Sequence, residues 1–296
     1  ITGGTGLVGS HLIPILQAEG HEVVVLSRSK DSNQPYAIFE WDYKKEYIEE
    51  GAFDEVDTVI HLAGAGVAEK KWTAERKDEI YNSRTKTSYL LYKTLKEVPN
   101  EVKTFISASA IGYYGLDTGS INLKENAPVG HDFLARVVDA WETSTSKISE
   151  LGIRLVQLRI GVVLSQKGGA LVELLKPPVA APLGKGNQYM SWIHIEDLCH
   201  MFRFAMENKS LKGAYNAVGP RPATNKELTR EAAKAFGKTF VPVPVPGLVL
   251  KLMLGEMARM VIGGNRVSCE SLLEAGFEFK HPKLTEALKH LKATGQ

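Results

Sequence analysis

Apolar and polar positions in the first half of the chain switch between two periods. Short β-branched runs suited to strands buried on both faces occur at Val23-Val24-Val25-Leu26, Thr58-Val59-Ile60-His61-Leu62, Thr104-Phe105-Ile106-Ser107 and Arg154-Leu155-Val156-Gln157-Leu158-Arg159. Between them lie stretches with helical spacing, roughly residues 9–19, 73–97 and 133–151. Strand and helix in alternation predict a doubly wound α/β fold around a parallel sheet. The opening Ile1-Thr2-Gly3-Gly4 reads as the end of a first strand, which places further residues ahead of this numbering.

After about Val163 the pattern changes. Gly168-Gly169 and the loop from Pro177 to Gly186 break the alternation with glycine and proline. Residues 196–208 resume helical spacing, Tyr215-Asn216-Ala217-Val218 resembles a last strand, and the chain from Lys226 onward is mainly helical. The predicted division is a cofactor domain of residues 1–165 plus about 196–218. A smaller, mainly helical substrate part takes about 166–195 plus 219–296. Leu248–Ile262 is apolar with Met253, Met257 and Met260 at helical spacing, the mark of a core helix or a lid over a pocket.

Composition narrows the function classes. Hydrophobic content of 44% with 24% charge over 296 residues is ordinary for a globular chain. A net charge of +2 with both signs interspersed gives no nucleic-acid footprint. Cys199 and Cys269 are too few for a disulfide framework or a metal cluster, and read as reduced thiols in a cytoplasmic protein. No uncharged apolar run approaches the roughly 18 residues of a membrane span. The longest, Phe240–Leu250, is broken by Pro242, Pro244 and Pro246. Neither a membrane span nor a signal peptide is expected.

The first candidate site is a glycine-rich loop. Gly3-Gly4-Thr5-Gly6-Leu7-Val8-Gly9 follows a strand remnant, opens an amphipathic helix and leads to a second strand. In that context the glycines serve a tight turn and a close backbone approach to a pyrophosphate, which the N–H groups of the following helix then face. This predicts a Rossmann-type dinucleotide site with Gly3, Gly6, Leu7, Val8 and Gly9 against the phosphates. The end of the second strand selects the dinucleotide. A site for NAD usually carries a carboxylate there, on the ribose 2′-hydroxyl. Here the residues are Ser27-Arg28. A guanidinium offers a fork of donors to a 2′-phosphate that a carboxylate would repel, so NADP(H) is expected.

Gly3–Gly9, His61-Leu62-Ala63-Gly64 and Ser107-Ala108-Ser109-Ala110 together resemble the cofactor-lining motifs of extended short-chain dehydrogenases/reductases of the nucleotide-sugar epimerase/dehydratase group. Ser83-Arg84, Ser109–Gly115, Ala140-Trp141-Glu142, Arg159–Leu164, Ser191–Leu198 and the segment Pro242–Leu291 resemble more narrowly an atypical branch, known as epimerase-family proteins, with its own C-terminal domain. The resemblance implies NADPH contacts from Ser27, Arg28, Leu62, Ala63, Glu79, Arg84 and Val163. Small residues at Ala63 and Gly64 leave room for the adenosine or its phosphates, and Arg84 can pair with phosphate.

Catalysis is where the pattern departs from the group. Its members combine a serine or threonine at a strand end with Tyr-x-x-x-Lys on the next helix, where the tyrosine moves the proton and the lysine lowers its pKa. Ser109 fits the first position, but Leu134 and Val138 occupy the tyrosine and lysine positions. Neither can transfer a proton. Tyr89-x-x-x-Lys93 and Tyr92-x-x-x-Lys96 precede Ser109 and lie in the wrong order. Tyr113 and Tyr114 are the available replacements, either as proton donors beside a cation from elsewhere in the fold or as walls of the nicotinamide pocket. On the substrate side, Lys185 and Gln188 in a glycine-rich loop and the following Trp192 are candidates. His61 and His194 have no companion ligands at metal spacing, so no metal is expected.

The expected function is an NADP(H)-binding oxidoreductase or isomerase acting on a small sugar-like or carbonyl substrate. A non-catalytic NADPH-binding regulator is the alternative, since some relatives of the branch are labelled cell-division inhibitors and the Tyr/Lys pair is missing. Sugar-nucleotide epimerisation with tightly held NAD conflicts with Ser27-Arg28. Helices of this class often pair into dimers, so a homodimer is the assembly to test for.

Overall fold

A computed structural model describes residues 1–31 and 33–296. Its central sheet contains β1 (Val24–Ser27), β2 (Ala37–Asp42), β3 (Thr58–His61), β4 (Thr104–Ala110), β5 (Arg154–Ile160) and β6 (Gly213–Ala217), and every pairing among them is parallel. Thr2 bridges in parallel to Leu26 on one side and His61 on the other, so the opening segment lies between β1 and β3. The spatial order is β2, β1, Thr2, β3, β4, β5, β6. The order reverses at Thr2, and open α/β sheets bind ligands at the carboxyl ends of their strands beside such a switch.

The strands are hydrophobic on both faces because both faces are covered. Val59, Phe105 and Leu155 point to one side and meet Leu90, Leu91 and Leu95 of the helix α2 (Ala74–Glu97). Their neighbours Ile60, Ile106 and Val156 point to the other and meet Leu12, Ile13 and Leu16 of the helix α1 (Leu7–Ala18). α3 (Phe133–Ser146) follows β4, and α4 (Ile195–Glu207) packs beside α1 through Leu198, Met201 and Phe202. The caps explain where these helices begin. Thr73 accepts the Arg76 N–H, and Asp132 accepts the Ala135 N–H. β2 was not among the predicted strands; its half-exposed residues give a weak apolar run, and Tyr47–Ile48 pairs antiparallel along it.

The rest of the chain is stitched on by short pairings: Val162–Leu164 with Trp192–His194, Tyr189–Met190 with Ala223–Thr224, Val179–Ala180 with Thr239–Phe240, and Asn122–Leu123 with Arg266–Val267. α5 (Asn225–Phe236) and α7 (Leu284–Thr294) send Leu228, Leu288 and Leu291 into the same apolar cluster as α1 and α4. The methionine-bearing stretch departs from expectation. α6 (Gly247–Leu254) leaves Leu252 76% and Met253 63% exposed, and among the three methionines only Met257 is buried. No helix of the described residues is long and apolar enough to cross a membrane.

Candidate functional site

The glycine loop lies at the switch point because its backbone allows nothing larger. Gly3 sits at φ 68°, and a Cβ there would stand 3.0 Å from the Leu62–Ala63 backbone. A Cβ on Gly9 would fall 2.6 Å from Gly4 Cα, so the first turn of α1 rests directly on the loop. Gly6 caps α1 with no side-chain hydrogen bond and the first turn carries no acidic residue, which leaves its leading N–H groups and positive dipole end for an anion. Leu7 and Val8 are half-buried at this turn, and Leu7 reaches Gly168 and Gly169. Thr2 ties the loop to the neighbouring strand: its Oγ1 accepts the N–H groups of Leu62 and Ala63, both at 3.2 Å.

Ser27 ends β1, and Arg28 follows it exposed, with no hydrogen-bond or ion-pair partner among the described residues. Arg84 lies under Gly64, where a Cβ would come within 3.1 Å of its Cζ. It donates to the carbonyls of Ala65 and Ile80, both at 3.0 Å, and its guanidinium stands 5.1 Å over the Trp141 ring. Burial, and then the charge of Arg76, lower its pKa to about 10. Among the described residues it has no carboxylate partner. Glu79 is a different matter. Arg76 donates to it at 2.6 Å, and that bond holds its carboxyl below the usual range. Arg76 is itself buried and also holds Glu69, so a second guanidinium that spacing did not reveal stands near Arg84. Val163 sits half-buried in the strand beside Trp192–His194.

At the end of β4 the chemistry is a buried network. Ser109 donates to Glu142 Oε1 at 2.5 Å, and Arg159 clasps Glu142 with Nε and Nη2, both at 2.8 Å. Arg159 Nη1 donates to the Tyr114 hydroxyl at 3.0 Å, and that hydroxyl donates to Asn216 Oδ1 at 2.6 Å. Burial raises the Tyr114 pKa, despite the neighbouring Arg159. Burial alone would lower Arg159, but the bonds and charge of Glu142 hold it above its ordinary value. Tyr113 differs from its neighbour. It is half-buried, its ring lies 3.5 Å from the Arg159 guanidinium, and its hydroxyl makes no hydrogen bond among the described residues. Leu134 and Val138 are buried and flank Gly112, directly below this turn.

The family model described as "NAD dependent epimerase/dehydratase family" matches residues 1–133, and the one described as "Domain of unknown function (DUF1731)" matches residues 245–291. The epimerase family protein YfhF of Bacillus subtilis is 33% identical over 311 aligned positions, covering 99% of this chain and 97% of that protein. The chain belongs to the epimerase family. Among solved structures, the human epimerase family protein SDR39U1, crystallised with NADPH, superposes with a TM-score of 0.88 at 29% identity, over 99% of this chain and 98% of that one. A nucleoside-diphosphate sugar epimerase from Corynebacterium glutamicum gives a TM-score of 0.80 at 31% identity, over 98% of this chain and 56% of the other.

In this epimerase-family protein, two of the three residues expected to meet substrate are tied up within the fold. Trp192 is a core residue, 1% exposed, and its Nε1 donates to the Arg221 carbonyl at 2.9 Å. Gln188 Nε2 donates to the carbonyls of Leu183 and Val261, pinning its loop to the segment after α6. Lys185 is exposed at the tip of that loop. Lys77 of α2 pairs with Glu256, just after α6, at 2.6 Å. The absence of companions for His194 is corrected as well: Glu196, His281 and His290 surround it, brought together by the fold from three separate stretches. His61 stays a structural residue, bonded to Thr2 Oγ1 at 2.7 Å. The motifs that contain Glu142 and Arg159 do not by themselves assign these two residues a role. The available signal was a carboxylate on the apolar stripe of α3 and an arginine inside an apolar strand.

Proposed function

We propose that this epimerase-family protein is an NADP(H)-dependent oxidoreductase of a small carbonyl or sugar-like substrate, with Tyr113 as its proton donor. The observation that carries this reading is Tyr113 itself. At the strand end where the family's chemistry sits, its hydroxyl is unbonded among the described residues while its ring lies on the Arg159 guanidinium. Ser109 and Tyr114, the other candidates, have hydroxyls bound within the buried network. Ser109, Glu142, Arg159 and Tyr114 then act as positioning residues that fix the turn carrying Tyr113.

The residues present fit the dinucleotide. Gly3, Gly6 and Gly9 bring the backbone to the pyrophosphate, with Leu7 and Val8 presenting N–H groups. Ser27 and Arg28 receive the 2′-phosphate, and Arg84 offers a further cation beside Leu62, Ala63 and Gly64. Glu79 and Val163 would help hold the ribose and nicotinamide sides. Bound NADPH supplies a hydride to the carbonyl carbon. Tyr113 Oη gives its proton to the carbonyl oxygen, while the Arg159 guanidinium against its ring holds the side chain in place. In this reading, residues 1–165 plus 196–218 hold the cofactor, while 166–195 plus 219–296, with Lys185 and Gln188, close over the substrate.

The test is loss of NADPH absorbance with a panel of aldehydes, ketones and keto-sugars, on the wild type and Tyr113→Phe. Turnover by the wild type, and its loss with unchanged NADPH binding in the variant, supports the reading. A second reading, an NADPH-binding regulator without turnover, is favoured by Leu134 and Val138, which leave no lysine to complete the usual pair. NADPH binding with no turnover on any panel member would select it.

A further inference from the structure

The C-terminal segment carries chemistry that the cofactor cleft does not use. His194 ends the strand Trp192–His194, and its ring is fully buried. His281 stacks on it with centroids 3.9 Å apart. His290, from α7, lies 4.3 Å from His281 and 5.1 Å from His194. Glu196, in the first turn of α4, completes the group. Its Oε2 is 2.9 Å from His281 Nε2, while His290 Nδ1 is 3.3 Å from His194 Nε2. One donor atom from each of the four lies within 4.8 Å of all the others. An ion with tetrahedral bonds of about 2.0–2.1 Å sets its donors roughly 3.4 Å apart, and donor separations of 2.9, 3.3 and 3.9 Å here lie on both sides of that value.

We propose that His194, Glu196, His281 and His290 form a structural Zn²⁺ site that fastens the C-terminal segment to the start of α4. Three imidazoles with one carboxylate suit a borderline cation such as zinc; the hard cations Mg²⁺ and Ca²⁺ prefer an all-oxygen shell. Four protein donors make the closed set of a structural site.

The surrounding contacts are those that hold ligands in place. Lys280 Nζ donates to Glu196 Oε1 at 2.9 Å and leaves Oε2 facing His281. The Asp197 carboxylate accepts the backbone N–H groups of Lys280 at 2.8 Å and His281 at 3.0 Å, which fixes the loop carrying His281. His200 stands one turn along, with Nε2 3.5 Å from Glu196 Oε1.

The protons can be placed. His194 Nδ1 accepts the Glu196 N–H at 3.0 Å, so its own proton sits on Nε2. Ligation through Nε2 moves that proton to Nδ1, where it would face the Glu196 N–H 3.0 Å away, so the His194 ring must turn out of its cap bond. The proton that His281 Nε2 presents to Glu196 likewise moves to Nδ1. One neutral cap bond is a small loss beside the bonds to a structural zinc.

The experiment uses the full chain, stripped with a chelator, dialysed, and titrated with Zn²⁺ alone against a chromophoric competitor. The expected result is one Zn²⁺ bound per chain, a raised Tm, and a tetrahedral visible spectrum when Co²⁺ replaces zinc. His281→Ala and His290→Gln each weaken binding by roughly tenfold or more and remove the rise in Tm. His21→Ala, in the exposed group Glu19, His21 and Glu207, changes neither and serves as the control. No stoichiometric binding, an octahedral Co²⁺ spectrum, or affinity undiminished in both His281 and His290 variants overturns the proposal. The spectrum is read on the wild type, so a variant that fails to fold still leaves a decisive result.

Discussion

Removing the Glu142 carboxylate tests whether the buried network below Tyr113 is one unit. Glu142 and Arg159 are 8% and 4% exposed, and Glu142 accepts two bonds from Arg159 and one from Ser109. In Glu142→Ala the Arg159 guanidinium keeps the Tyr114 hydroxyl and the Glu125 carbonyl but loses its only anionic partner among the described residues. Breaking a buried pair from one side costs about 3–5 kcal/mol, because the remaining charge is left uncompensated. With an unfolding entropy of about 0.6 kcal/mol/K for a chain of 296 residues, that loss corresponds to a Tm lower by about 5–8 °C. Differential scanning calorimetry at neutral pH measures it. The double variant Glu142→Leu/Arg159→Met removes both charges, and its loss is expected to be no larger than that of Glu142→Ala alone. A fall below about 1 kcal/mol for the single variant, or losses from the two single changes that simply add, refutes the reasoning.

Three further outcomes are expected. Arg28→Ala weakens NADPH binding by about 10- to 100-fold, the worth of a charged hydrogen bond, and leaves NADH binding unchanged in a fluorescence titration; equal losses for both dinucleotides would contradict the 2′-phosphate assignment. Gly9→Ala brings a Cβ to 2.6 Å from the Gly4 backbone, so NADPH affinity and Tm should both fall, and an unchanged binding isotherm would remove the loop from the site. His61 is fully buried, and burial, then the Arg84 charge, hold its pKa at about 3 against an ordinary 6.5. The unfolded chain therefore binds a proton below pH about 6.5 that the folded chain refuses, so stability is lost as pH falls, by about 1.4 kcal/mol for each pH unit below that value. His61→Gln should flatten the fall in Tm between pH 6.5 and 5.5; the same slope as the wild type would show that other groups set it.

Local pattern determined the architecture and the glycine-rich loop at the switch point. Val23–Leu26, Thr58–Leu62, Thr104–Ser107 and Arg154–Arg159 became parallel strands because a strand covered on both faces is apolar at nearly every position, and that run is visible in one dimension. Gly3, Gly6 and Gly9 were legible because a tight turn and a close approach dictate residue type at fixed spacing. The gap at Leu134 and Val138 was equally plain. What sequence could not supply was partnership at long range. Trp192 next to a glycine-rich loop looked like a substrate contact, yet parallel pairing with Val162–Leu164 places it in the core. Tyr113 and Tyr114 are adjacent and chemically identical, and only the fold separates them, since alternate sides of one turn face Asn216 and the Arg159 plane. His194 gained His281 and His290 across more than eighty residues of chain. A hydrogen bond or ligand set depends on distance in space, and chain spacing reports that distance only within a single turn, helix or strand.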